Sequence, residues 1–206
     1  MALQTLVKIS GVTNLSDARY CAGMGVDMLG FSMDANAPDY VDPQKFGEIR
    51  GWVMGVQIVG ETGSIDPEQI EQMLETYQPD LLQVDDAAMI PYLSTFDKPI
   101  ILRIDLALLT LDQLETLGHA GAVGADYILL EHPDALHFDD DLKAAIRQLA
   151  DRHSVLLGAG VTADNVQQLI TELPVRGLAL RGSNEERPGN KDFGTLMDVL
   201  EAIEVD

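Results

Sequence analysis

Leu6-Val7-Lys8-Ile9-Ser10-Gly11-Val12-Thr13 is a short apolar run that ends in polar residues and a glycine, the signature of a buried strand running into a turn. Seven runs of the same kind follow: Asp27 to Ser32, Trp52 to Val59, Asp80 to Val84, Pro99 to Ile104, Ala125 to Glu131, Ser154 to Gly158 and Gly177 to Arg181. Between them the apolar residues take helical spacing, as in Ile70, Met73, Leu74 and Tyr77, or Leu142, Ala145, Ile146 and Leu149. Helix starts are marked by Asp66 before Pro67, by Thr110, and by Thr162 ahead of Ala163 to Ile170.

Near-continuous apolar strands are buried on both faces, and each alternation with a helix implies a crossover. Eight strand-helix units in 206 residues predict an α/β fold, a single-domain (β/α)8 TIM barrel over residues 1–206. A doubly wound open sheet is the alternative, and the number of repeats favours the barrel. In a barrel the chemistry gathers where strands end. That ring is expected to contain Ser10, Ser32, Val59, Asp85, Asp105, Glu131, Gly160 and Gly182, with Asp34 and Glu61 contributing from nearby loops. Trp52 and the methionines are read as core, and Cys21, at apolar spacing with Leu15, Ala18 and Ala22, as a buried structural thiol.

Composition narrows the partners. Thirty-four acidic residues against thirteen Lys and Arg give a net charge of -21, which repels phosphate backbones and anionic lipid surfaces. No nucleic-acid or membrane role is expected, and no run approaches the roughly 18 apolar residues that cross a bilayer. A single cysteine excludes an intrachain disulfide framework, and no basic segment followed by an apolar core stands at the N-terminus; a cytoplasmic protein is expected. Much of the acidic excess is read as solvated helix faces such as Asp66-Pro67-Glu68-Gln69-Ile70-Glu71.

Order and spacing of several segments resemble the phosphoribosylanthranilate isomerase family over nearly the full chain. Lys8 to Thr13 is followed by Ser16-Asp17-Ala18, by Gly25-Val26-Asp27-Met28-Leu29-Gly30-Phe31 and by Ala37-Pro38-Asp39-Tyr40-Val41. Later come Gly158-Ala159-Gly160-Val161, Asp164-Asn165-Val166, and Glu185 leading into Pro188-Gly189-Asn190-Lys191-Asp192. The resemblance implies a tryptophan-biosynthesis isomerase performing an Amadori rearrangement, in which an aminoaldose phosphate becomes an aminoketose. In the family an aspartate at the end of strand six protonates the ring oxygen and a strand-one cysteine removes the C2 proton. The matching positions here are Glu131 and Ser10.

Both are substitutions with chemical consequences. A thiol titrates near pKa ~8.5, whereas a serine hydroxyl needs an adjacent base to ionise near neutral pH. Glu131 carries one methylene more than aspartate, which moves its carboxyl by about an ångström. Where the family places an arginine that meets the anthranilate carboxylate, this chain has Asp39, and Ala179 stands where an aspartate is expected. Gln83-Val84-Asp85-Asp86 replaces a Gln-Leu-His-Gly pattern. Glu131-His132-Pro133-Asp134-Ala135-Leu136-His137-Phe138 replaces a glycine-rich phosphate loop.

Phosphate-binding residues are expected in Gly158, Gly160, Arg181, Gly182 and Ser183, after strands seven and eight, with simple tight turns as the alternative. No HExxH or paired-cysteine spacing calls for a metal, and no cofactor is expected; Asp85, Asp105 and His132 are the weak candidates for a divalent cation. The ligand is expected to be a small molecule, with a sugar phosphate the leading class. The leading functional reading is a diverged barrel enzyme that keeps such a ligand but performs another reaction, with Glu131 as acid or base and Asp85, Asp105 and His132 as further candidates. A working isomerase using Ser10 and Glu131, and a noncatalytic binding or interaction relative, are the alternatives.

Overall fold

Burying eight strands on both faces requires that every strand edge be paired, and closing the sheet on itself does this. The computed structural model describes residues 2–120, 124–181, 185–187, 190–191 and 194–205. Its barrel strands are β1 (Leu6–Ser10), β2 (Met28–Ser32), β3 (Gln57–Thr62), β4 (Leu81–Val84), β5 (Ile100–Asp105), β6 (Tyr127–Glu131), β7 (Val155–Leu157) and β8 (Gly177–Arg181). They form a closed barrel in sequence order, every neighbouring pair parallel, with β8 returning to β1 through Leu6 to Ser10 against Gly177 to Arg181. The helices α1 (Leu15–Gly23), α2 (Pro43–Arg50), α3 (Pro67–Tyr77), α4 (Ile90–Leu93), α5 (Leu111–Ala120), α6 (Asp140–Ala150), α7 (Val166–Glu172) and α8 (Gly194–Ala202) alternate with them. This is the expected (β/α)8 architecture.

Aspartates at the amino ends of strands set the register three times over. Asp27, Asp80 and Asp126 each donate a backbone N–H to the preceding strand (Val7, Ile58 and Ile100 carbonyls). Each also accepts from the N–H of that same residue through its carboxylate, at 2.8, 2.7 and 2.8 Å. Other acids cap helices or turns: Asp42 accepts from Lys45 N, Asp66 from Glu68 N and Asp139 from Leu142 N. Part of the acidic excess is therefore architectural.

One expected strand is displaced. The apolar run predicts a third strand over Trp52 to Val59, but β3 begins at Gln57 and continues through Glu61 and Thr62. Gly55, at φ +80°, breaks the run, so Trp52 and Met54 belong to the preceding loop and are 69% and 88% exposed rather than core. Val59 accordingly sits mid-strand, and Glu61 is a strand residue, not a loop residue. Helix α7 also starts later than Thr162 implies, after a turn in which Asn165 Oδ1 accepts from Thr162 N at 2.8 Å. Cys21 is fully buried, as expected.

Paired residues on parallel strands share a face, so the registers define the barrel interior. Its apolar floor is Met28, Val59, Leu81, Ile101, Leu129, Leu156 and Ala179, packed on one another. Toward the carboxyl ends the same faces carry Lys8, Ser10, Ser32, Glu61, Gln83, Arg103, Asp105, Glu131 and Arg181. Leu129 is completely buried in the floor. Leu129→Ala is expected to lower unfolding free energy by about 2–5 kcal/mol in urea titrations, the cost of an unfilled cavity.

Candidate active site

The deepest polar group is Lys8, with no exposed surface, and its partner Glu61 is 6% exposed. Lys8 Nζ forms a salt bridge with Glu61 Oε1 and donates to Ser10 Oγ at 2.6 Å. Gly30 makes this possible, because a Cβ there would lie 2.0 Å from Glu61 Oε1 and 2.9 Å from Lys8 Nζ. Burial, the largest single influence on Glu61, would raise its pKa, yet the attraction and hydrogen bond of Lys8, the charge of Arg181 and the Gly11 N–H together hold it below its ordinary value. Ser10 is 1% exposed and its hydroxyl accepts from an ammonium. The position matched to the family's base thus lies under the mouth, locked to a donor.

Above it, Gly11 takes φ +65°, and a Cβ there would meet Asp39 Oδ2 at 2.7 Å. Asp39 in turn accepts from Arg181 Nη1 at 3.1 Å, so this pair covers the end of β1. The charge reversal at Asp39 has a local partner.

Across the barrel, Glu131 Oε2 accepts from Arg103 Nε at 2.6 Å, and Arg103 Nη1 lies 3.4 Å from Asp85 Oδ2. Burial pushes the Asp85 carboxyl up against the opposing pull of Arg103, with Glu131 and Asp34 adding to the rise. Asp34 accepts from Thr62 Oγ1 and Gly63 N, which fixes it beside this group. Gly158 leaves space for Glu131, since a Cβ there would approach Glu131 Cγ to 3.1 Å.

A cavity of about 290 Å3 opens among Arg103, Asp105, Glu131, His132, Pro133, Gly158 and Arg181. It gathers five expected site residues, Glu131, Gly158 and Arg181 together with Asp105 and His132, and adds Arg103, which the sequence reading missed. Gly160 faces elsewhere: at φ +64°, a Cβ would meet Phe138 and the Leu136 carbonyl. Gly182 and Ser183 lie outside the described residues, as do Pro188, Gly189 and Asp192. A larger groove of about 820 Å3, lined by residues including Gln4, Asp27, His153 and Arg176, opens at the amino ends of the strands, the face that barrels give to stability.

The residues considered for a cation do not converge. Among the described residues no three His, Cys, Asp or Glu side chains are placed to hold a metal ion. Asp85 turns to Arg103, Asp105 Oδ1 accepts from Ala107 N at 2.9 Å, and His132 Nδ1 accepts from Asp134 N at 3.0 Å. Among the described residues, no helix is long and apolar enough to cross a membrane.

A model of the N-(5′-phosphoribosyl)anthranilate isomerase family matches residues 7–202. The enzyme of that name from Xylella fastidiosa (strain 9a5c) is 24% identical over 211 residues, covering 97% of this chain and 92% of the relative. The crystal structure of phosphoribosyl anthranilate isomerase from Thermotoga maritima superposes with a TM-score of 0.78 at 20% identity, covering 97% of this chain and 98% of that one. A structure of the isomerase in complex with reduced 1-(o-carboxyphenylamino)-1-deoxyribulose 5-phosphate has a TM-score of 0.78 at 22% identity, with 97% and 98% covered.

Removing one partner of a buried ion pair strands the other, so Lys8→Met is expected to cost about 3–5 kcal/mol in chemical unfolding, while Lys8→Met with Glu61→Leu recovers most of it. The pair also sets a pH dependence. Glu61's pKa is lowered on folding, so its contribution is fully present above its ordinary value of 4.5 and is lost as pH falls through the folded value. Urea midpoints followed from pH 7 to pH 3 are expected to drop more steeply below about pH 4.5 for the natural protein than for the double variant.

Proposed function

This chain belongs to the N-(5′-phosphoribosyl)anthranilate isomerase family, and on that premise we propose that it is a sugar-phosphate-binding barrel in which the family's isomerisation has lapsed. The observation that carries the reading is the state of Ser10. An Amadori rearrangement needs a base at C2, and a hydroxyl serves only when a neighbour accepts its proton. Lys8, its neighbour at 2.6 Å, is an ammonium already paired with Glu61, a donor rather than an acceptor.

Other features support the same conclusion. Glu131, matched to the family's acid, commits one oxygen to Arg103. Asp39 places a carboxylate where an anthranilate carboxylate would be received, and two like charges there repel. Retained ligand binding is supported by Arg181 and Gly158 on the mouth cavity, and by the related barrel that holds a ligand carrying a 5-phosphate. An arginine offers several donors to a phosphate, and a glycine lets backbone approach it.

Thermal unfolding with ribose 5-phosphate tests the binding half of this reading. At a concentration about ten times the dissociation constant, mass action adds about 1.4 kcal/mol, which raises Tm by roughly 3–6 °C in a chain of this size. Arg181→Met is expected to shrink that ligand-induced shift, each protein being compared with its own unliganded form. No shift in the natural protein at 10-fold higher than millimolar ligand contradicts it.

A further inference from the structure

The charges at the mouth are unequally spent. Arg103 is held by Glu131 and Asp85, and Arg181 by Asp39, so each cation already has an anionic partner. Asp105 lines the same cavity, and among the described residues it has no ion pair; its Oδ1 accepts from Ala107 N, which leaves Oδ2 for a ligand.

The carboxylate of Asp105 is therefore an acceptor that the fold leaves half spent. Arg181 is half exposed, its Nη1 is engaged by Asp39, and the remainder of its guanidinium fork can receive one anionic group beside Gly158. A second anion in the same cavity meets Asp105 and Glu131, whereas an amine or a set of hydroxyls meets acceptors that fit it. The cavity, at about 290 Å3, suits a ligand the size of a sugar phosphate.

We propose that the mouth selects a monophosphorylated amino sugar: one phosphate at the Arg181 end, hydrogen-bond donors including an ammonium toward Asp105, and no second anionic group. This rests on the sugar-phosphate reading above and names its ligand class. The specificity differs in sign from that of a site for a phosphorylated sugar bearing an aryl carboxylate, because the second contact is made by a carboxylate of the protein.

Three hexose derivatives with the same terminal phosphate separate the cases: glucosamine 6-phosphate, glucose 6-phosphate and 6-phosphogluconate, titrated calorimetrically into the natural protein at pH 7. The expected order is amine tightest, neutral sugar next and carboxylate weakest. The amine is expected to gain about fivefold over the neutral sugar, the effect of one partly exposed ion pair. Asp105→Asn keeps an oxygen for the Ala107 N–H and is expected to erase that gap, weakening glucosamine 6-phosphate more than glucose 6-phosphate. If 6-phosphogluconate binds as tightly as glucosamine 6-phosphate, the selectivity is overturned while sugar-phosphate binding stands. If none of the three binds, both readings fall. An undiminished amine preference in Asp105→Asn removes Asp105 as the acceptor and overturns the assignment.

Discussion

The salt bridge between Lys8 and Glu61 is the interaction on which the carboxyl end of the barrel depends. It stands on an apolar floor and under the β1 turn, with Lys8 fully buried and Glu61 6% exposed. A pair this deep adds little net stability, because two desolvated charges cost about what their attraction returns. Its effect is positional. Glu61 receives Lys8 from one side and the Gly11 N–H from another, which ties the end of β1 to β3, and Gly30 must lack a side chain for the pair to form.

From this constraint the chemistry of the mouth follows. Lys8 turns its remaining donor capacity to Ser10, so the hydroxyl at the matched base position is both shielded and supplied with a proton donor. The layer above is neutralised by a second set of pairs, Arg103 with Glu131 and Asp85, and Arg181 with Asp39. Partly exposed pairs of this kind are worth little singly, yet together they fix where free charge remains. The result is a cavity in which Asp105 keeps an acceptor and Arg181 keeps part of its guanidinium fork.

The barrel was legible because eight apolar runs alternate with helical spacing, a signal repeated often enough to survive one misplaced strand. Ser10, Glu131 and Arg181 were found because each ends a run. Glu61 and Arg103 were harder. Glu61 follows Gly60 and reads as the polar start of a loop, and Arg103 sits inside an apolar run, where a lone charge looks like an interruption. Period-two alternation from the floor residues Val59 and Ile101 places both inside the barrel, and that alternation was the available signal. The Asp39–Arg181 pair spans 142 residues and has no local signature. Strand-end position alone makes Asp85, Asp105 and His132 candidates for a cation, but among the described residues no three such side chains converge, Asp85 turning to Arg103 and His132 to the backbone of its own loop.

On the function proposed, the substituted and mutually paired mouth residues, rather than the barrel itself, separate this chain from isomerase activity. The most direct test is the rate of phosphoribosylanthranilate conversion, followed by loss of substrate fluorescence at high protein concentration, for the natural protein and for a Ser10→Cys, Asp39→Arg, Glu131→Asp variant. The account predicts a rate at background for the natural protein and a rate clearly above it for the variant. Turnover by the natural protein that the triple substitution fails to increase would contradict it.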